Sequence, residues 1–123
     1  MSVNEWSDAT AMAEAVRNKT VSPPELVKDT ISEAERTNPK INAIVNQRYE
    51  KALEEAETRD FSDKPFAGVP IFLKDLGQEQ AGEPSTAGSR LFTSYRAKET
   101  DNYVNKLEEL GFIILGRSST PEF

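Results

Sequence analysis

Along the first half of the chain, apolar residues recur at helical spacing. Ala9, Met12, Ala13 and Val16 fall at i, i+3, i+4 and i+7 behind Asp8, whose carboxylate can cap the first turn, so a helix with one apolar face is predicted there. Ser22-Pro-Pro-Glu25 is the sharpest start signal in the sequence. It sets a capping hydroxyl three residues before a carboxylate, with prolines where the first turn has no use for an N–H. Leu26, Val27, Ile31 and Ala34 then form the inward stripe of a second helix, and Asn38-Pro39 is expected to stop it. Ala43-Ile-Val45 predicts a short extended segment. A third helix follows, with Tyr49, Ala52, Leu53 and Ala56 inward and its glutamates toward water.

The period changes after residue 60. Asp60-Phe-Ser-Asp-Lys-Pro65 reads as loop, and in Gly68-Val-Pro-Ile-Phe-Leu-Lys-Asp75 residues 71–73 are all apolar, the pattern of a strand buried on both faces. Pro70 limits hydrogen bonding near its start. Residues 77–95 are dominated by Gly, Ser, Thr, Pro and charged side chains, with Gly82 and Gly88 as turn points, and predict irregular chain or a short hairpin on a surface. A fourth helix from about Asp101 carries Tyr103, Val104, Leu107 and Leu110 inward, ends at Gly111, and leads straight into a second strand, Phe112-Ile-Ile-Leu115. Strand, loop, helix, strand is the order of a crossover between parallel strands, so the fold class is α/β. Two apolar parallel strands want helices on both faces and further strands beside them. Because the residues stop at Pro121-Glu-Phe123, the sheet is expected to be incomplete.

Composition narrows the chemistry. The chain has no cysteine and no histidine, which excludes a disulfide, a thiolate nucleophile, a Cys/His zinc site and a Ser-His-Asp relay built from these residues alone. Any base is Lys, Asp, Glu or Tyr. Asp and Glu are dispersed without the paired spacing of a metal site, so no metal and no cofactor are expected. A net charge of −6 gives no basic footprint for a phosphate backbone or an anionic bilayer, so neither nucleic acid nor membrane is an expected partner. The N-terminal residues lack the basic start and apolar stretch of a signal peptide, and a cytoplasmic setting is expected. Hydrophobic residues make up only 37% of the chain, which predicts a thin core.

Lys74 has the best physical case as a reactive group. It closes an apolar strand at its C-terminal end, where open α/β sheets place ligands, and burial there would lower its pKa and free a neutral amine. The other possibility is a strand-end lysine that snorkels to water or pairs with Asp75. Ser85-Thr-Ala-Gly-Ser89 is a hydroxyl-rich turn, and Arg117-Ser-Ser-Thr120 occupies a second strand-end loop; either could approach a ligand or serve only as loop. Trp6 reads as a packing residue.

The motif Gly68-Val-Pro-Ile-Phe-Leu-Lys74-Asp75, then Ser85-Thr-Ala-Gly-Ser89, then the helix to Gly111, then Ile114-Leu-Gly-Arg-Ser-Ser-Thr-Pro-Glu-Phe123 resembles the N-terminal part of the amidase signature family. Pro39-Lys-Ile-Asn-Ala43 and the Glu/Ala-rich helix after it are similar to that family too, and the resemblance runs from about residue 5 to the last residue. It implies a hydrolase of carboxamides that works through a Ser, cis-Ser, Lys triad on a large mixed sheet surrounded by helices. Lys74 would be the triad lysine, exchanging a proton with the nucleophilic serine through the intermediate serine, and Asp75 would orient the loop or the lysine. Both serines belong to a Gly/Ser-rich region beyond these residues, which also supplies the oxyanion-hole N–H groups. None of Ser85, Ser89, Ser118 and Ser119 lies in that motif. Arg117-Ser-Ser-Thr120 departs from the Lys-Thr-Asn of many members.

The resemblance therefore implies that residues 1–123 are the N-terminal segment of one amidase domain, 1–60 its helical section and 61–123 the start of the sheet with the triad lysine. The full-length protein would act on a small-molecule amide, while the segment alone would be inactive and would self-associate through unpaired strands. Two other readings stay open at this point. One is a non-catalytic helical interaction module or remnant; the other is the amidase-like component of a tRNA-dependent amidotransferase, which shares the fold.

Overall fold

Both N-terminal helices begin at the residues that the sequence marks as caps. In the computed structural model, which describes residues 7–123, the Asp8 carboxylate accepts from the Ala11 N–H (2.8 Å) at the start of α1 (Ala9–Arg17). The Ser22 hydroxyl accepts from the Glu25 N–H (3.3 Å) and donates to the Glu25 carboxylate (3.0 Å) at the start of α2 (Pro23–Ile41). Trp6 lies outside the described residues.

The second helix does not stop at Asn38-Pro39. Pro39 removes one hydrogen bond in the last turn, where few are left to lose, and the helix runs on to Ile41. Asn42 closes it in the left-handed conformation (φ 49°), its N–H bonded to the Asn38 carbonyl at 2.7 Å. The Asn38 side chain then accepts from the Ile44 N–H (2.8 Å) and donates to the Ile44 carbonyl (3.2 Å), so the helix turns directly into β1 (Ile44–Gln47). Next comes α3 (Tyr49–Thr58).

Among the described residues three strands form the sheet, in the order β1-β3-β2. β2 (Pro70–Lys74) and β3 (Ile113–Ser118) pair in parallel, as the crossover order predicts, with α4 (Asn102–Glu109) between them in sequence. β1 pairs antiparallel with β3, which makes the sheet mixed. The strand buried on both faces is β3, not β2. Flanked by both neighbours, β3 buries residues 113–117, whereas β2 holds an edge and leaves Ile71 and Phe72 half-buried and Lys74 exposed. β3 also continues past Leu115 through Arg117 and Ser118, so Arg117 belongs to the strand and not to a loop.

Helices cover both faces. On one side Val27, Ile31, Ala52 and Ala56 of α2 and α3 pack on Ile113 and Leu115, with Phe72 against them. On the other, Ala13 of α1 packs with Val69 and Phe112, while Val104 of α4 packs with Leu73 and Ile114. Tyr103, expected inward, is 57% exposed; the stripe that meets the sheet centres on Val104 and Leu107 and turns Tyr103 aside. Gly111 ends the helix at φ 107°, the conformation its missing Cβ allows. Gly116 answers a close approach: a Cβ there would sit 2.1 Å from the Asn46 carbonyl oxygen of β1. Residues 77–95 are largely irregular, as one of the two expectations had it, with a 3-10 turn at Arg90–Phe92 and a single antiparallel bridge from Pro84 to Arg96.

Candidate active site

The parallel pairing sets Leu73 beside Arg117 and Lys74 beside Ser118, so two cations arrive at the same end of the sheet. They are treated differently. The Lys74 side chain is exposed and forms no ion pair among the described residues, so the burial expected for it is not supplied by them. Its main chain is tied down: the Lys74 N–H donates to the Gln78 side-chain oxygen (2.9 Å) and the Lys74 carbonyl accepts from Arg117 (2.7 Å). Arg117 is 2% exposed and its other terminal nitrogen donates to the Gln78 carbonyl. Burial pushes the guanidinium below the usual arginine range, and the carboxylates of Asp75, Glu79, Glu83 and Asp101 oppose that shift.

Asp75 does not pair with Lys74. It is 1% exposed, and its carboxylate accepts from the Thr86 N–H (2.9 Å) and from the Thr86 hydroxyl. Its carbonyl accepts from the Ala87 N–H (2.9 Å), and its own N–H donates to the Ser118 carbonyl (3.1 Å). Of the two roles expected for Asp75, the structure gives it the loop: these bonds fasten the turn of residues 85–89 to the end of β2. Ser85 is buried, and the Ser89 hydroxyl accepts from the Leu91 N–H (3.3 Å) to start the 3-10 turn.

Between this turn and the chain leaving β3 lies a cleft of about 450 Å³, lined by Asp75, Thr86, Ser89, Arg90, Ser119 and Thr120 among others. It opens at the C-terminal ends of β2 and β3, where α/β sheets bind ligands. The structure thus brings the two hydroxyl-bearing segments of the sequence together around one opening, next to the strand that carries Lys74. Ser118 instead donates toward the Leu73 carbonyl (3.4 Å), within the sheet. Among the described residues no three acidic side chains converge to hold a metal.

Sequence reasoning missed Arg117 as a buried framework residue and Thr86 as the partner of Asp75. The signal for Arg117 was available in part: extending the parallel register by two residues sets it beside Leu73. No comparable signal points to Thr86.

A family model for Amidase matches residues 25–123. The chain is 39% identical over 122 residues to the 6-aminohexanoate-cyclic-dimer hydrolase of Paenarthrobacter ureafaciens, covering 98% of this chain and 24% of that protein. It is 40% identical over 120 residues to the lipoamidase of Enterococcus faecalis, covering 96% of this chain and 17% of that protein. A solved structure of 6-aminohexanoate cyclic dimer hydrolase superposes with a TM-score of 0.90 at 39% identity, over 98% of this chain and 25% of that one. The chain therefore spans about a quarter or less of the length of these relatives.

Proposed function

The chain belongs to the amidase signature family, and from that premise we propose that the protein hydrolyses a carboxamide C–N bond with Lys74 as its base. The observation that carries the reading is the place of Lys74. It is the last residue of a parallel strand, in the Gly-Val-Pro-Ile-Phe-Leu-Lys-Asp motif, and the next residue, Asp75, lines a cleft at the strand ends. The neutral amine would take a proton from the intermediate serine as that serine takes one from the nucleophilic serine, whose oxygen attacks the amide carbon. The same proton would pass to the nitrogen as the C–N bond breaks, leaving an acyl-serine for water to hydrolyse. The groups that enclose the amine during the reaction would close over Lys74 from outside the described residues.

Ammonia or amine release from a panel of amides by the intact protein tests the activity. Lys74→Ala removes an exposed side chain, so folding should survive while turnover falls by about 10²–10⁴-fold. Unchanged kcat in Lys74→Ala would take the lysine out of the mechanism. Residues 1–123 alone would show no turnover, because both serines implied by the family lie beyond them. On size-exclusion chromatography they would self-associate through the open edges of β1 and β2.

A further inference from the structure

Arg117 is buried without an ion-pair partner within salt-bridge distance among the described residues, and both its terminal nitrogens go to main-chain carbonyls. For stability alone this is a poor use of the space. Burying a guanidinium costs solvation, and an apolar side chain of similar volume would fill the strand end at less expense. What the arginine supplies is geometry. Its fork reaches the carbonyls of Lys74 and Gln78 at once, while the Gln78 side-chain oxygen takes the Lys74 N–H (2.9 Å). Arg117, Lys74 and Gln78 therefore close a ring of three hydrogen bonds around one residue, on an edge strand that has a neighbour only on its β3 side among the described residues. Held on both sides, the Lys74 Cα has a fixed direction, and any tilt there is magnified along the four-carbon stem to the amine.

We propose that Arg117 is a positioning residue that, with Gln78, clamps the Lys74 main chain and so sets where the lysine amine stands. This rests on the reading of Lys74 as the base. A lysine at position 117 has one ammonium and cannot serve two diverging carbonyls in the same way, so the pair Arg/Lys is not equivalent here.

The test is kinetic, on the intact protein, with Lys74→Ala, Arg117→Met, Arg117→Lys, Gln78→Leu and the Arg117→Met/Gln78→Leu double variant. The expected result is a loss of kcat of about 10- to 100-fold in Arg117→Met with KM little changed, since a small misplacement of a reacting group has an effect of that order. Arg117→Lys should recover part of it. Gln78→Leu should lose less, and the double variant no more than Arg117→Met alone, because both changes open the same ring. If Arg117→Met does not fold, Arg117→Lys and Gln78→Leu carry the test. Normal kcat in folded Arg117→Lys and Gln78→Leu, with only a lowered Tm and an inactive Lys74→Ala, overturns the clamp and leaves the base assignment standing. An active Lys74→Ala overturns the base assignment and the clamp with it.

Discussion

Residues 113–117 of β3 are buried without a break, whereas in residues 77–101, which lead from β2 to α4, only Gln80, Ser85 and Ala97 are buried. The two regions are held by different forces. β3 is fixed by area removed from water on both faces, against α2 and α3 on one and α4 on the other. The 77–101 segment is fixed by directed bonds. Thr86 bonds to Asp75, the Glu79 N–H donates to the Asp101 carboxylate (2.9 Å), and the Ala81 N–H donates to the Thr100 hydroxyl (3.0 Å). The N–H groups of Gly82 and Ala97 bond to the carbonyls of Ala97 and Glu83 (2.8 and 3.0 Å). Burial tolerates many apolar residues at one place; a directed bond tolerates one pair. The sheet therefore sets Lys74 at the strand end, and the segment shapes the cleft next to Asp75.

The largest effect should come from the sheet. Ile113→Ala removes a fully buried side chain between α2 and α3 and should lower stability by about 2–5 kcal/mol in urea unfolding of the intact protein. The loss should be global, with the midpoint shifted and the 77–101 segment no more open to protease than the rest. Selective cleavage in 77–101 of Ile113→Ala would mean that the segment draws its order from the core and would break the contrast.

That contrast also governs what could be read from the chain beforehand. Helix starts at Asp8 and Ser22 are local, written within three residues, and both were legible. The apolar runs of β2 and β3 were legible for the same reason, and their parallel relation followed from the order strand, loop, helix, strand. The helix end at Asn38-Pro39 was misplaced because Asn38 finds its partner at Ile44, after the break. The full burial assigned to β2 went to β3 because only the sheet order reveals which strand is central. At the C-terminal end of β2, the position of Lys74 was legible, but the contacts around it were not. Asp75 meets Thr86 across 11 positions, Glu79 meets Asp101 across 22, and Arg117 meets Lys74 across 43. No periodicity records such pairs.

A middle-sized effect should come from the segment's strongest tie. Asp75→Ala leaves the Thr86 N–H and hydroxyl without their acceptor and should cost about 1–3 kcal/mol. Limited proteolysis should cut near residues 85–89 before the sheet unfolds, and amide exchange at Thr86 and Ala87 should rise first. Uniform exchange across the protein would show that Asp75 supports the core and not the turn. Thr100→Val should act in the same way but less, about 0.5–1.5 kcal/mol, because the Ala81 N–H that loses its partner is exposed and can turn to water.

The smallest effect is spectroscopic, and it bears on the same contrast at a single bond. The Tyr95 hydroxyl donates to both Glu79 carboxylate oxygens at 3.0 Å, and this bond holds the phenol above the usual tyrosine range, with burial and the charges of Glu79 and Asp101 acting in the same direction. Since the folded value is raised, the contribution to stability is complete below the ordinary pKa of about 10 and is lost as pH climbs through the raised value. Tyr49 is also raised, mainly by burial, so the wild-type absorbance titration has to be compared with that of Tyr95→Phe to isolate one group. The difference curve should lie above the ordinary range, and Glu79→Gln, which keeps an acceptor but removes the charge, should bring it down. A Tyr95 titration that Glu79→Gln leaves in place would show that the bond does not hold the hydroxyl. If the curve moves while the urea midpoint at neutral pH does not, one tie of the segment has been loosened without touching the sheet, as expected of a region assembled bond by bond.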